Sequence, residues 1–185
     1  IVDAYNDPTI ASDLAKFSST FGLPQASLSV VSQTGSKTAL PKNNAGWSSE
    51  IALDVEWAHA IAPGAKILLV EAKSDSLTDL MAAVDDARSA AGVSVVSMSW
   101  GTSEFQTETS YDSHFTTPAG HAGVTFVAAS GVWGSWYGPD YPASSPNVLS
   151  VGGTTLSLDS SGNVLSETPW QDSTGGTSSY EYAAS

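Results

Sequence analysis

The sequence predicts an α/β domain built on a mostly parallel sheet, and three observations carry that reading. Short runs rich in Val, Ile and Leu recur along the chain, helical patterns separate them, and the two alternate in βαβ order. A length of 185 residues suits one domain with its own core, so residues 1–185 are read as a single domain. The chain opens on Ile1-Val2, the end of a core strand, followed at once by Asp3, Tyr5, Asn6, Asp7 and Pro8. Leu14, Phe17 and Phe21 then recur at helical spacing, predicting a helix over 10–21 that Gly22 and Pro24 stop. Residues 28–31 read as a short strand, and 41–47 as a polar loop. Ser48 or Ser49 is the expected N-cap of a helix over 50–61, which ends at Pro63-Gly64.

The run 67–70 is short and continuously apolar, as a buried parallel strand is. Residues 77–91 are amphipathic, with Leu80, Met81, Val84 and Ala87 on one side and Asp79, Asp86 and Arg88 on another. Strands over 93–98 and 124–129 follow, with a helix and its exit expected across 114–121 between them. Beyond Gly131 the composition turns to Gly, Trp, Tyr, Pro and Ser. A strand at 148–151 and a hairpin through Asp159-Ser160-Ser161-Gly162 are expected there, while 171–185 has no core-forming pattern.

Composition narrows the function. Six Lys+Arg against 19 Asp+Glu give a formal charge of −13, which repels phosphate backbones and anionic lipid, so nucleic acid is excluded as a partner. No apolar run approaches the ~20 residues needed to span a bilayer. Only 14% of residues are charged, and fully protonated carboxyls would leave a modest positive charge, so the chain is expected to tolerate acid. The absence of cysteine removes thiolate catalysis and Cys-based metal sites. A start at Ile1, without Met or a basic leader, is read as a processed product and the protein as secreted.

Glu50 and Asp54 are four apart on a helix, so both carboxylates project from one face. If partly buried, such a pair shares a proton and yields a base that works in acid. On the alternative reading, Glu50 favours the positive helix N-terminus and Asp54 sits on a solvated face. The text around them, Glu50-Ile-Ala-Leu-Asp54-Val-Glu56-Trp-Ala-His-Ala-Ile-Ala-Pro63-Gly-Ala-Lys-Ile67, resembles the catalytic helix of the sedolisins, the serine-carboxyl peptidases of family S53. Further stretches agree in order: Val2-Asp3-Ala4-Tyr5, Ser12-Asp13-Leu14, Phe21-Gly22-Leu23-Pro24, Val96-Ser97-Met98-Ser99-Trp100-Gly101, Ala128-Ala129-Ser130-Gly131, Tyr141-Pro142-Ala143-Ser144-Ser145-Pro146 and Val151-Gly152-Gly153-Thr154.

The resemblance implies a subtilisin-like fold. It implies that Glu50 is the general base for a serine nucleophile and Asp54 the acid that orients it. It also makes Ser99-Trp100-Gly101 and Ser130-Gly131 edges of a substrate cleft. Two departures stand out. The family carries an oxyanion-stabilising aspartate after Ser-Gly, where this chain has Val132, and losing one such donor costs about 100- to 1,000-fold in turnover. The family's nucleophile and calcium site are expected beyond residue 185, so the domain is expected to be C-terminally incomplete and to hold no cofactor. Gly175-Gly176-Thr177-Ser178 imitates the nucleophile motif but better matches a Gly-rich loop ahead of it.

His59, His114 and His121 read as packed or surface histidines, not metal ligands. Trp133, Trp136, Tyr137 and Tyr141 are either a packed loop or an exposed binding platform, and Asp140 is a candidate displaced acid with nothing in the sequence to aim it. The expected function is a sedolisin-like chain that is inactive alone and serves in binding or assembly with a peptide or protein partner. The alternatives are the N-terminal chain of an acid-acting endopeptidase completed by a second segment, and a self-associating structural subunit.

Overall fold

The structure is a computed structural model and describes residues 1–134 and 136–182. The expected unpatterned tail therefore runs, at residues 183–185, outside the described residues. Contacts divide the chain into two compact units, Ile1–Ser99 with Thr117–Val124, and Trp100–Thr116 with the chain from Thr125 onward.

The first unit is α/β. Its strands β1 (Val2–Ala4), β2 (Ser27–Ser32) and β3 (Lys66–Ala72) form a parallel sheet with β3 in the middle. The register pairs Val2 with Val70, Asp3 with Glu71 and Ala4 with Ala72. Side chains alternate along β3, and Ile67 and Leu69 form a buried cluster with Ile10 and Leu14 of α1 (Ile10–Phe21) and Ile51 and Val55 of α2 (Ala45–Ile61). Burying each of these side chains contributes about 1.5–3 kcal/mol, which fixes α1 and α2 against this face. Helix α3 (Leu77–Ser89) packs on β1 and β3 through Leu80, Met81, Ala83, Val84 and Ala87. β4 (Val95–Met98) lies beside β1 and leads to Ser99.

Helix α1 ends as expected, with Gly22 in the left-handed region at φ 66°. Helix α2 begins one turn earlier than expected. Asn44 is its cap, with Oδ1 accepting from Gly46 N at 3.0 Å and Trp47 N at 3.2 Å. Ser48 instead turns its hydroxyl back to Asn44 O at 3.0 Å, the bonding serine adopts inside a helix. The shift puts Glu50 beyond the first turn, where the helix dipole has largely faded, so proximity to a helix N-terminus does not account for it.

In the second unit, β6 (Thr125–Ala129) and β8 (Val148–Val151) run parallel, and β5 (Thr102–Ser103) pairs antiparallel with β7 (Asp140–Tyr141). The expected hairpin joins β9 (Thr154–Leu158) to β10 (Val164–Pro169); Asp159 Oδ1 accepts from Ser161 N at 2.8 Å and Asn163 N at 2.9 Å to close it. The helix expected over 114–121 is corrected to a 3₁₀ helix at Glu108–Phe115, which buries Glu108 and Phe115 and ends before Pro118. Phe115, Phe126 and Tyr141 pack ring against ring at its base, with centroids 5.9 and 6.0 Å apart. Thr174, in the segment expected to lack core contacts, is buried.

Candidate active site

In the first unit, one turn of α2 carries both Glu50 and Asp54, and both are half-buried. Asp54 Oδ1 accepts a hydrogen bond from the Ser99 hydroxyl at 2.9 Å, while its buried Oδ2 has no partner among the described residues. Burial, and then the charge of Asp54, pushes the Glu50 carboxyl above its ordinary range. Burial pushes Asp54 up as well, opposed by the bond from Ser99. The pair is thus disposed to hold a proton together in acid rather than to ionise freely.

Two further carboxyls, not singled out by the sequence, stand on the strands below. Asp3 is 0% exposed and neither of its oxygens has a hydrogen-bond partner among the described residues. Burial first and Asp54 second drive its carboxyl well above the usual range. Glu71, its register partner, is equally buried; Oε1 accepts from Asp7 N at 3.3 Å and Oε2 has no partner among the described residues. Burial pushes Glu71 up to about 7. The only sequence signal for either was a charge at the end of an apolar strand.

The second unit holds the segment after β6. Ser130 is buried with its hydroxyl unpartnered among the described residues, and Gly131 adopts φ 114°, a backbone that side chains rarely allow. A Cβ on Gly131 would stand 2.6 Å from Asp140 Oδ2 and 2.8 Å from Thr174 Oγ1, so the glycine is required by close approach as well as by φ. Thr174 staples this turn, donating N–H to Gly131 O at 3.1 Å and accepting from Trp133 N at 2.9 Å. Asp140 is therefore aimed at the Ser130-Gly131 turn, and burial raises its carboxyl. A Cβ on Gly101, which follows the buried Trp100, would also meet Asp140 Cβ and Tyr141 O, each at 3.2 Å. Val132 is 55% exposed and has no hydrogen to donate.

The four aromatics read as either a packed loop or an exposed platform divide between the two. Trp133 and Tyr137 are exposed and tilted together with centroids 6.4 Å apart, and Trp136 is 94% exposed. Tyr141 is corrected to a core residue: it is 0% exposed and donates its hydroxyl to Asp112 Oδ1 at 3.2 Å. Ser178 donates to Glu104 and accepts from Tyr180 N at 3.1 Å and Glu181 N at 2.8 Å, the bonding of a serine that organises a turn. His59 is buried with Nε2 2.9 Å from Pro24 O, and His114 stacks on Tyr111. Among the described residues no group of three or more His, Cys, Asp or Glu could hold a metal ion, and no helix is long and apolar enough to cross a membrane.

Comparison with known proteins places this arrangement. The Subtilase family (Peptidase_S8) matches residues 31–181. Kumamolisin of Bacillus sp. (strain MN-32) is 36% identical over 184 residues, covering 88% of this chain and 32% of its own length. Sedolisin of Pseudomonas sp. (strain 101) is 32% identical over 181 residues, covering 86% and 30%. The chain thus spans about a third of the length of the curated relatives it matches. The solved structure of Pseudomonas sedolisin, a serine-carboxyl proteinase complexed with two molecules of pseudo-iodotyrostatin, superposes with a TM-score of 0.76 at 30% identity, covering 91% of this chain and 51% of that one. The chain therefore belongs to the subtilase family, as a sedolisin-like domain of subtilisin-like fold.

Proposed function

We propose that this chain carries the acid–base part of a serine-carboxyl peptidase site and cleaves peptide bonds in acid only when a further segment supplies the attacking serine. The reading treats residues 1–185 as one peptidase domain. In it Glu50 takes the proton from the attacking hydroxyl, and Asp54, anchored through Oδ1 to Ser99, acts on Glu50 through its charge. The observation that carries it is the half-buried pair itself: both carboxyls are raised, so proton sharing, and with it a histidine-free base, belongs to acid conditions. Such conditions suit an extracellular protein.

Ser178 is not the nucleophile in this reading, since its hydroxyl is committed to Glu104. Ser99 in the first unit and, in the second, Trp100 and Gly101 with Ser130 and Gly131 are the candidate peptide-binding residues of this reading. Val132 leaves the oxyanion one donor short, a loss of about 100- to 1,000-fold in turnover. The test is a peptide-cleavage assay from acid to neutral pH. The chain alone should be silent; a downstream segment added in trans should restore weak turnover, Val132→Asp should raise it by about 100-fold or more, and Glu50→Gln should abolish it. Turnover by the chain alone that disappears in Ser178→Ala would overturn the proposal.

The exposed Trp133, Trp136 and Tyr137 favour a second reading, a pseudoenzyme that binds a protein partner or its own copy. Concentration-dependent sedimentation that is lost in Trp136→Ala, with no activity in any completed form, would select it.

A further inference from the structure

The parallel register puts Asp3 directly beside Glu71 on neighbouring strands, so both side chains leave the same face of the sheet. Ile67 and Leu69, which alternate with Glu71 along β3, identify that face as the one covered by α1 and α2. Four carboxyls therefore gather there: Glu50 and Asp54 from α2, Asp3 from β1 and Glu71 from β3. Four of their oxygens, both of Asp3, Oδ2 of Asp54 and Oε2 of Glu71, are buried without a partner among the described residues. The bonds the set does receive come from neutral donors, the Ser99 hydroxyl and the Asp7 N–H.

We propose that Glu71 is a positioning residue for the Glu50–Asp54 pair: with Asp3 it forms the inner end of one buried set of carboxyls whose ionisation is coupled through their charges. The inference rests on the reading of Glu50 and Asp54 as a catalytic pair. Its physical basis is that like charges this close cannot all ionise in a buried space, so each proton retained at one end decides what the other end can release. When Glu71 is ionised, Asp3 keeps its proton, and a neutral Asp3 allows Asp54 to ionise. When Glu71 is neutral, Asp3 is freer to ionise and Asp54 holds its proton more tightly. Protons enter and leave as solvent acid, and no other bond changes.

Asp7 lies just ahead of α1, Glu50 and Asp54 come from α2, and Asp3 from β1. β2 offers Ser32 opposite Glu71, and α3 turns only apolar side chains inward.

The experiment is carboxyl-carbon NMR on the full chain, following Asp3, Glu50, Asp54 and Glu71 against pH. Glu71→Gln should lower the Asp3 midpoint by about half a pH unit or more, and Asp3→Asn should lower the Glu71 midpoint by a similar amount, because linkage is reciprocal. Glu71→Asp should keep much of the coupling. If Glu71→Gln does not fold, the Glu71 midpoint in Asp3→Asn decides alone. In the completed peptidase, Glu71→Gln should move the pH midpoint of kcat/KM while leaving the substrate dependence of KM in place. Midpoints within about 0.2 unit of the parent in every folded variant would overturn the proposal, since coupled neighbours must move one another. Shifted midpoints with no peptidase activity in any variant would support the coupling and sink the catalytic reading instead.

Discussion

Replacing Glu71 by Gln should flatten the dependence of stability on pH, and the size of the effect follows from where β3 puts this side chain. Glu71 is fully buried, and burial lifts its carboxyl from the ordinary 4.5 to about 7. The raised value belongs to the folded state, so folding binds this proton. Below about pH 4.5 both states are protonated and nothing is lost. Between there and about pH 7 the unfolded chain ionises while the folded chain does not, and stability falls as pH rises. Above that range the loss is complete. A gap of about two and a half pH units corresponds to about 3 kcal/mol, a large part of a typical domain's stability. Glutamine keeps an acceptor for the Asp7 N–H and removes the charge. Urea unfolding of parent and variant across about pH 4 to 8, followed by the fluorescence of Trp47 and Trp57 on α2, measures the difference directly. Asp3, Glu50 and Asp54 remain in both proteins, so the difference between the two curves reports Glu71 and the groups it couples to. Curves that stay parallel within about 0.5 kcal/mol across that range would mean that Glu71 ionises freely in the fold, and the reasoning from burial would fail.

Gly131→Ala should destabilise the second unit by about 2–4 kcal/mol, because φ 114° disfavours a side chain and the new Cβ would press on Asp140 and Thr174; chemical denaturation checks it. Asn44→Ala should cost about 1 kcal/mol by leaving the Gly46 and Trp47 N–H groups without their cap, read as a drop in the thermal midpoint. Trp136→Ala should leave stability within about 0.5 kcal/mol and remove the most acrylamide-accessible fluorescence, whereas Tyr141→Phe, losing its bond to Asp112, should cost about 1–2 kcal/mol.

Local signals located the elements of the fold well where the physics is local. Gly22 stops α1 because glycine takes the left-handed backbone at no steric cost, and the turn at Asp159 to Gly162 is written in its own residues. The start of α2 is ambiguous in sequence because Ser48, Ser49 and Asn44 all have the right chemistry for a cap; a capping side chain accepts from a backbone N–H, as Asn44 does, whereas Ser48 donates its hydroxyl to a carbonyl one turn back. The spacing of Glu50 and Asp54 was legible, since two residues four apart on a helix share a face. Their burial was not, because it depends on β1 and on Ser99, which lies 45 residues away from Asp54.

The same limit explains why Asp140 and Tyr141 could not be separated from their aromatic neighbours. Tyr141 sits nine residues after Val132 in a stretch of uniform composition, yet β7 pairs it with Thr102 and carries it beneath the 3₁₀ helix, while Trp136 stays in solvent. Pairing also turns Asp140 toward Gly131, whose missing Cβ makes room for its carboxyl. Asp3 and Glu71 make the point most sharply. Each is a lone acid at the end of an apolar run, where a strand commonly emerges into water. Only the register of β1 on β3 places the two together, and only the helices packed over that face keep water from them. A charge in a strand becomes a functional signal once its partner across the sheet is known to be another charge and the face they share is known to be covered. In the proposed peptidase, the sedolisin-like text of α2 marks the catalytic pair, whereas the sheet beneath it is what raises the acidity range in which that pair would work.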